Sequence, residues 1–211
     1  MDINKQLKEQ LHEQRRKLRA QRRALSDEQH AQWSQQAAAH LASHRIFRAA
    51  RNIACYLPND GEVDTLPIMA QAWAQGKKIF LPVLSEIKRN HLHFLPYELG
   101  DPLIKNRFGI PEPMLKPHCM VSPRQLDLVI TPLVGFDAGG SRLGMGGGFY
   151  DRSFAFLRFR RFWRKPHLLG LAFDFQEVVG VAGSLPRQPW DVPLKGMVTE
   201  SGLRLFSDLI S

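Results

Sequence analysis

The spacing of apolar positions changes along the chain, and the first stretch has the spacing of a helix. Residues 1 to about 24 are polar and basic, contain good helix formers and lack Pro and Gly. Leu7, Leu11 and Leu18 recur in this stretch on one face of a helical projection. The chain is therefore predicted to begin with a basic N-terminal helix.

A capping signal marks the start of a second helix. Ser26 is a favourable N-cap residue, and Gln29 follows it three positions later, as in a capping box. This helix is predicted to run to about Ser43. We expect residues 1–44 to form a helical arm on a single α/β domain that spans residues 1–211.

Short apolar runs farther along the chain predict strands. The runs cover residues 52–57, 78–83, 91–95, 127–136, 167–173 and 196–199. Helices are predicted from Thr65 to about Gly76 and from Phe149 to about Trp163, whereas residues 96–123 carry six prolines and are predicted to be irregular. Strands that alternate with helices predict an α/β fold with an open, mostly parallel sheet and helices on both faces.

The composition is that of an ordinary globular domain. The chain has 211 residues, of which 44% are hydrophobic and 23% charged. It contains no apolar run of about 18 residues and starts with charged residues, so neither a membrane span nor a secretory signal is expected. Its two cysteines belong to no metal-binding motif. We expect a cytoplasmic protein that is monomeric and has no membrane partner.

The net charge of +9 predicts an anionic partner, which could be nucleic acid, a membrane surface or a nucleoside triphosphate. Residues 152–165 hold six Lys and Arg residues interleaved with aromatic residues, a composition that suits RNA. An aromatic stripe at helical spacing is more often part of a core, with the arginines on its solvated face. RNA contact is therefore kept as an alternative and is not favoured.

A glycine-rich segment carries the clearest chemical signal. The segment Arg142–Arg152 reads RLGMGGGFYDR and lies between a predicted buried strand and a predicted helix. Ligands of open α/β sheets bind at the carboxyl ends of strands, where glycines let backbone amides surround an anion. Arg142 and Arg152 add charges that suit phosphate. The segment is not a Walker A motif, because no Gly-Lys-Ser/Thr ends it. It favours a phosphate-binding loop over a flexible surface loop.

The carboxylate of Asp151 within this basic loop has two interpretations. A carboxylate repels phosphate unless a cation lies between them, and Mg²⁺ can bridge carboxylate and phosphate oxygens. Alternatively, Asp151 is a residue at a helix start that accepts hydrogen bonds from backbone amides. The spacing of residues leaves both interpretations open.

A longer segment, TPLVGFDAGGSRLGMGGGFYDR, resembles the signature of the 5-formyltetrahydrofolate cyclo-ligase family, also called methenyltetrahydrofolate synthetases. Further similar segments follow the order of the family: LPNDGEVDT at Leu57–Thr65, KKIFLPV at Lys77–Val83, FGIPEP at Phe108–Pro113 and WDVPLKGMVTE at Trp190–Glu200. The resemblance implies an α/β fold and a reaction that uses ATP and Mg²⁺. In that reaction ATP phosphorylates the formyl oxygen of 5-formyltetrahydrofolate, a folate nitrogen closes the ring, and 5,10-methenyltetrahydrofolate, ADP and phosphate are formed.

The resemblance also assigns residues to sites. It implies an ATP site formed by Arg15, Arg142, Leu143, Gly144, Met145, Gly146, Gly147, Gly148, Phe149 and Tyr150. It implies a folate site formed by Leu57, Glu62, Phe108, Met145, Gly146, Gly147, Gly148 and Phe149. Asp151 and Asp191 would bind the metal, and the charges of Arg142 and Arg152 make them the candidate catalytic residues.

Some of these positions have a plainer interpretation, and one departs from the family. Taken alone, Glu62 would be a turn carboxylate, Phe108 a core aromatic residue and Asp191 an ordinary loop residue. The family has a Lys four positions before the residue that matches Arg15, and this chain has Leu11 there. Lys8 and His12 are the nearby residues that could substitute.

Overall fold

The structure, a computed structural model, describes residues 3–114, 116–160, 165–178 and 185–206. The predicted helix end at residues 161–163 lies outside the described residues. Within the described part of the chain, no helix has the length and apolar character needed to cross a membrane.

The helices of the described residues follow the predicted order at the start of the chain. They are α1 (Ile3–Arg23), α2 (Asp27–Ser43), α3 (Arg45–Ala49), α4 (Leu66–Ala74) and α5 (Phe149–Ser153). The Ser26 hydroxyl accepts a hydrogen bond from the Gln29 N–H at 3.2 Å, and the Gln29 side chain reaches back to the Ser26 backbone. This confirms the predicted capping box of α2.

The strands are short, and most lie at the predicted positions. They are β1 (Asn52–Ala54), β2 (Lys78–Leu84), β3 (Leu92–Pro96), β4 (Leu103–Lys105), β5 (Pro111–Pro113), β6 (Leu128–Pro132), β7 (Gly135–Phe136), β8 (Arg142–Leu143), β9 (His167–Leu171), β10 (Gly196–Thr199) and β11 (Gly202–Leu205). Two of them, β7 and β8, pair with each other as a separate two-stranded sheet before the glycine-rich loop.

A seven-stranded sheet organises the molecule, in the order β11-β10-β9-β6-β1-β2-β3. The five inner strands run parallel to one another, whereas the edge strands β3 and β11 pair antiparallel with their neighbours. This confirms the predicted open and mostly parallel sheet. Parallel strands place their carboxyl ends at one edge of the sheet, which is where an α/β protein forms its ligand site.

The two faces of the sheet are covered differently. Helices α2, α3 and α4 cover one face, where Leu41, Phe47 and Met69 pack into a core in which each is at most 1% exposed. The other face is covered by the short helix α5 and the segments around it, and Phe136 and Phe154 are buried there. Helical structure therefore lies on both faces, as predicted, but most of it lies on one.

The proline-rich stretch was predicted to be irregular, and this prediction is wrong in part. Within residues 96–123, β4 and β5 form an antiparallel hairpin. Pro111 and Pro113 occupy alternate positions of β5 and have no backbone N–H. Glu112 between them is the residue of this strand that can donate a backbone hydrogen bond. A short two-stranded hairpin tolerates this spacing, because prolines can occupy the positions that donate no ladder hydrogen bond.

The predicted helix from Phe149 to Trp163 is also wrong, since the α-helix ends at Ser153 and a 3₁₀ segment covers Ala155–Phe159. The Ser153 hydroxyl donates to the Phe149 carbonyl at 2.8 Å, a local bond that competes with helical structure. Phe154, Phe156 and Leu157 all pack against the second core. Their spacing does not place all three on one face of an α-helix. The chain instead continues as the more tightly wound 3₁₀ segment.

Candidate active site

A large cleft of about 1010 Å³ lies at the carboxyl edge of the parallel sheet. Its walls include the face of α1, the ends of β1 and β6, the β4–β5 hairpin and the glycine-rich loop. Ligand pockets commonly enclose about 300–1,000 Å³. The cleft therefore has room for two substrates of moderate size.

Every residue that the sequence motifs assigned to a site lines this cleft. They are Arg15, Leu57, Glu62, Phe108, Arg142, Leu143, Gly144, Met145, Gly146, Gly147, Gly148, Phe149, Tyr150, Asp151, Arg152 and Asp191. These residues come from distant parts of the chain. The fold therefore brings the predicted ATP, folate and metal positions together, and the role of each residue stays a prediction.

Hydrogen bonds from side chains hold the backbone of the glycine-rich loop. The Arg15 Nε donates to the Gly144 carbonyl at 2.8 Å. The carbonyl of Gly147 accepts from Arg152 Nη1 at 2.7 Å and from Asn90 Nδ2 at 3.0 Å. Because these carbonyls are engaged by side chains, the loop is pre-shaped around the cleft.

Asp151 is held by contacts that differ from those of a helix cap. Its Oδ1 atom accepts an ion-paired hydrogen bond from Arg142 and a 3.0 Å bond from the Val192 N–H. The Arg142 side chain is only 9% exposed and also donates to the Val192 carbonyl at 2.6 Å. Asp151 therefore lies in the first turn of α5 but accepts the amide of a distant residue, Val192, in place of amides of its own helix.

Asp191 lies close to Asp151, although it is far away in sequence. Both carboxylates line one small pocket that branches from the cleft and also includes Arg142 and Arg187. The Asp191 Oδ2 accepts the Gln188 N–H at 2.8 Å, which fixes the loop that carries it. Two carboxylates in one pocket, next to the glycine-rich loop, form a donor set that suits Mg²⁺.

The loop after β1 carries Glu62 and is held by buried hydrogen bonds. The Tyr56 hydroxyl donates to the Val63 carbonyl at 2.9 Å, and the Thr65 hydroxyl donates to the Tyr56 carbonyl. One ring nitrogen of His30 lies 2.8 Å from the Glu62 carbonyl oxygen. These contacts present the Glu62 side chain to the cleft from a rigid loop.

The environment of Glu62 makes its ionisation costly. Burial raises the pKa of its carboxyl to about 7, and the main opposing influence is the nearby charge of Arg22. The side chain is 16% exposed, and its Oε1 lies 3.9 Å from Arg22 Nη1. Burial also raises the pKa of the neighbouring Tyr56 and Tyr150, and the charge of Glu62 adds to both shifts.

The raised pKa of Glu62 predicts how stability changes with pH. Because the folded pKa of about 7 exceeds the unfolded value of about 4.5, the folded state binds the proton more tightly, and stability falls as pH rises between these values. We expect Glu62→Gln to lose this dependence on pH. At pH 8.5 its free energy of unfolding should exceed that of the wild type by at most about 3 kcal/mol. Urea unfolding at pH 5 and 8.5 measures it. Exposed Glu86→Gln is the control, and equal pH dependence of the wild type and Glu62→Gln would contradict the prediction.

Aromatic rings form one wall of the cleft. Phe108 and Phe149 meet edge to face, with ring centroids 5.9 Å apart. Phe108 is 55% exposed, so the interpretation of this residue as a core aromatic is wrong. The Asn106 side-chain oxygen accepts the Phe108 and Ile110 N–H groups at 2.9 and 3.2 Å, which holds the turn that presents the Phe108 ring.

Helix α1 contributes Arg15 to the cleft, together with a leucine at the position where the family has a lysine. Lys8 and Leu11 both line the cleft, whereas His12 lies on the exposed side of α1. Of the two residues considered as replacements for the family lysine, Lys8 therefore has the better position.

Two aromatic residues of the basic stretch that suggested RNA binding pack within the protein, whereas Phe159 is 80% exposed. Phe154 is fully buried, and Phe156 packs on the same core. Arg124 and Arg160 lie over the Phe156 ring, at 4.5 and 4.9 Å from its centroid. Such packing explains these aromatic residues without RNA.

Sequence reasoning missed several residues that hold the site together. They are Arg22 and Asp60 beside Glu62, Asn90 beside Gly147, and Asn106 beside Phe108. Asp60 and Asn90 have positive φ angles of 55° and 57°. Asp and Asn are the residue types that adopt this conformation most readily, so turn chemistry was the one available signal.

Comparison with known proteins identifies the family. The model of the 5-formyltetrahydrofolate cyclo-ligase family matches residues 5–200. The chain belongs to this family. Among the relatives of the cyclo-ligase family, the 5-formyltetrahydrofolate cyclo-ligase of Escherichia coli K12 is 41% identical over 184 residues, which cover 87% of this chain and 97% of that protein. The 5-formyltetrahydrofolate cyclo-ligase of Haemophilus influenzae is 39% identical over 194 residues, or 91% of this chain and 97% of that protein.

Solved structures of the cyclo-ligase family share the fold. The NMR structure of Aquifex aeolicus 5,10-methenyltetrahydrofolate synthetase is similar with a TM-score of 0.76 and 32% identity, and the match covers 95% of each chain. A 5,10-methenyltetrahydrofolate synthetase from Mycoplasma pneumoniae has a TM-score of 0.66 at 22% identity, over 90% of this chain and 98% of that one. The family resemblance that the motifs indicated is therefore confirmed.

Proposed function

We propose that the protein is a 5-formyltetrahydrofolate cyclo-ligase that uses ATP to convert 5-formyltetrahydrofolate into 5,10-methenyltetrahydrofolate, with release of ADP and phosphate. The observation that carries this proposal is the shared cleft, because residues assigned to three separate ligands line one cavity of about 1010 Å³. Such an arrangement is what a reaction between two bound substrates requires.

The phosphates of ATP are assigned to the glycine-rich loop. Backbone amides from Gly144 to Gly148 border the cleft together with Arg15 and Arg152. Phosphoryl transfer depends mainly on positioning and on stabilisation of charge, which amides and guanidinium groups supply. Arg142 contributes its charge to the same wall while it holds Asp151.

Mg²⁺ is assigned to Asp151 and Asp191. Mg²⁺ in such enzymes typically binds one or two carboxylates and completes its coordination with water and phosphate oxygens, and the two carboxylates in one small pocket fit this pattern. When bound, the ion neutralises phosphate charge and aligns the transferred phosphoryl group. Arg142 positions Asp151 for this role through their ion pair.

The folate is assigned to the opposite part of the cleft, where Glu62 and Phe108 lie. An ionised Glu62 accepts hydrogen bonds from N–H groups of the pterin ring. The exposed ring of Phe108 offers a flat surface on which the pterin can pack. Leu57, Met145 and Phe149 add apolar contacts between this part and the glycine-rich loop.

The chemistry then proceeds in two steps. The formyl oxygen attacks the γ-phosphorus of ATP, and the bond from that phosphorus to the oxygen of ADP breaks. The oxygen has become part of a good leaving group, so the neighbouring folate nitrogen attacks the formyl carbon, phosphate departs with the oxygen, and the nitrogen releases its proton to water. The residues of the cleft hold both substrates in line and stabilise the charge that moves.

The proposal includes a monomeric enzyme that acts in the cytoplasm. All residues assigned to the cleft come from one chain, so a partner subunit is not needed to complete it. Cys55 and Cys119 are both free thiols. Free thiols are typical of a reducing compartment.

A direct assay tests the activity. Purified protein is mixed with 5-formyltetrahydrofolate, ATP and Mg²⁺, and the near-ultraviolet absorbance of the conjugated methenyl product is recorded. We expect product only when all three components are present, with one ADP formed per product molecule. Folded protein that binds ATP but forms no product would reject the proposal and direct the search toward another acceptor on the same cleft.

A further inference from the structure

The cleft has a buried cation that the proposed reaction has not used. The Arg22 side chain is 1% exposed, although arginine is almost never fully buried without partners. Its Nε donates to the Asp60 carbonyl at 3.0 Å, Nη2 to Asp60 Oδ2 at 3.0 Å and Nη1 to the Leu133 carbonyl at 3.2 Å. One guanidinium thus joins the end of α1, the loop after β1 and the end of β6.

The turn that Arg22 holds has an unusual backbone. Asp60 and Gly61 both have positive φ angles, of 55° and 72°. A Cβ atom on Gly61 would lie 3.2 Å from the Arg22 carbonyl oxygen, so the turn packs directly on the end of α1. Asp and Gly adopt this conformation at little cost, and the Arg22 hydrogen bonds to Asp60 fix the position of the turn on α1. Glu62 is the next residue.

Asp60 pairs with two further arginines, but they cannot replace Arg22. Arg19 and Arg23 also form ion pairs with the Asp60 carboxylate, and their side chains are 32% and 55% exposed. The pair of Arg23 with Asp60 is exposed and is screened by water and salt, whereas that of Arg19 is partly buried. Arg22 alone among the three reaches the Leu133 carbonyl and approaches Glu62 at 3.9 Å.

The groups around Glu62 explain why this approach matters. Arg22 and Arg19 face it from α1, Asp60 from its own loop, Tyr56 from the end of β1 and Tyr150 from α5. The His30 ring reaches its backbone carbonyl from α2. Burial raises the pKa of Glu62, and Arg22 is the strongest influence that lowers it. Without Arg22, burial and the charge of Asp60 would raise the pKa of Glu62 further, opposed only by the Asn59 N–H and the charge of Arg19 among the causes that lower it.

We propose that Arg22 is a positioning residue for the folate substrate, because it fixes the Asp60–Glu62 turn and keeps Glu62 as the carboxylate that receives the pterin N–H groups. This inference rests on the proposed function. It assigns Arg22 no contact with substrate. Arg22 therefore affects binding of the folate. Binding of ATP should not depend on it, because Arg15, Arg142 and Arg152 lie in the other part of the cleft.

Steady-state kinetics of Arg22→Gln from about pH 6 to 9 test the proposal. We expect the KM for 5-formyltetrahydrofolate to rise about tenfold near pH 7, while kcat and the KM for ATP change less than about threefold. The difference in this KM between Arg22→Gln and the wild type should shrink toward pH 9, because Glu62 then ionises in the variant as well. Arg23→Gln removes an exposed partner of the same Asp60 and should stay within about twofold of the wild type.

Two further variants keep the test decisive. In a Glu62→Gln background, Arg22→Gln should add little to the KM, because the residue through which it acts is already changed. Arg22→Lys keeps the positive charge but loses the planar guanidinium that makes several hydrogen bonds at once. It should raise the KM for 5-formyltetrahydrofolate about threefold at every pH. This variant replaces Arg22→Gln in the test if Arg22→Gln does not fold. A KM change that is equal at all pH values, additive with Glu62→Gln, or matched by a fall in kcat would overturn the proposal. Loss of product in the wild type would instead reject the proposed function.

Discussion

Replacement of Asp151 by asparagine is expected to reduce kcat at least ~100-fold, a magnitude typical for loss of one group that stabilises charge in the transition state. Asparagine keeps an oxygen for the Val192 N–H, which Asp151 now accepts at 3.0 Å. It loses the negative charge that pairs with Arg142 and that we assign to Mg²⁺. The initial rate of methenyl formation at saturating substrates measures the effect.

The same variant separates the metal role from a structural one. Calorimetric titration of ATP with and without Mg²⁺ should show a strong Mg²⁺ dependence of binding in the wild type and a weak one in Asp151→Asn. Asp101→Asn changes a carboxylate that caps an exposed turn by accepting the Glu98 N–H at 2.8 Å, and it serves as the matched control. Wild-type turnover with an unchanged Mg²⁺ requirement in Asp151→Asn would remove Asp151 from the proposed metal site.

The second large effect is expected from Gly148→Ala. Gly148 has φ of 64°, and a Cβ atom there would lie 2.6 Å from Arg152 Nη1. The left-handed backbone should cost about 1 kcal/mol of stability. Displacement of Arg152 from the Gly147 carbonyl should also lower kcat/KM for ATP about 100-fold. Urea unfolding and steady-state kinetics measure the two effects separately.

A second glycine provides the control for backbone strain. Gly100 has φ of 95°, and a Cβ atom there would meet nothing within 4 Å. It lies between β3 and β4, away from the residues that line the cleft. Gly100→Ala should therefore lose similar stability and keep its activity. If Gly148→Ala retained wild-type kcat/KM, neither the loop conformation nor the position of Arg152 would matter for ATP.

Six of the seven strands of the sheet were predictable from the sequence, because they are short runs of apolar, often branched residues, whereas β11 lies outside the predicted runs. The runs at 78–83 and 196–199 correspond closely to β2 and β10. Such runs reflect burial in a parallel sheet and need no knowledge of partners. The order of the strands was not predictable, because it depends on contacts between segments far apart in the chain.

Errors in the fold arose where local signals competed with packing. The β4–β5 hairpin was missed because Pro111 and Pro113 suggest a loop, although their alternation is compatible with a strand. The helix after the glycine-rich loop was predicted too long because its aromatic residues were assumed to form one helical face. The core instead contains Phe154, and the partly buried Phe156 and Leu157 pack against it from a 3₁₀ segment.

The sequence by itself determined the family and many of the residues that line the cleft, because a contiguous signature and a few ordered motifs carry the residue types that phosphate, a metal ion and a pterin require. Only the tertiary structure decided how those residues are held. The buried Arg22, the ion pair of Arg142 with Asp151 and the raised pKa of Glu62 depend on neighbours that are remote in sequence. Burial and charge at a point in space arise from the whole fold, and no local pattern of residues encodes them.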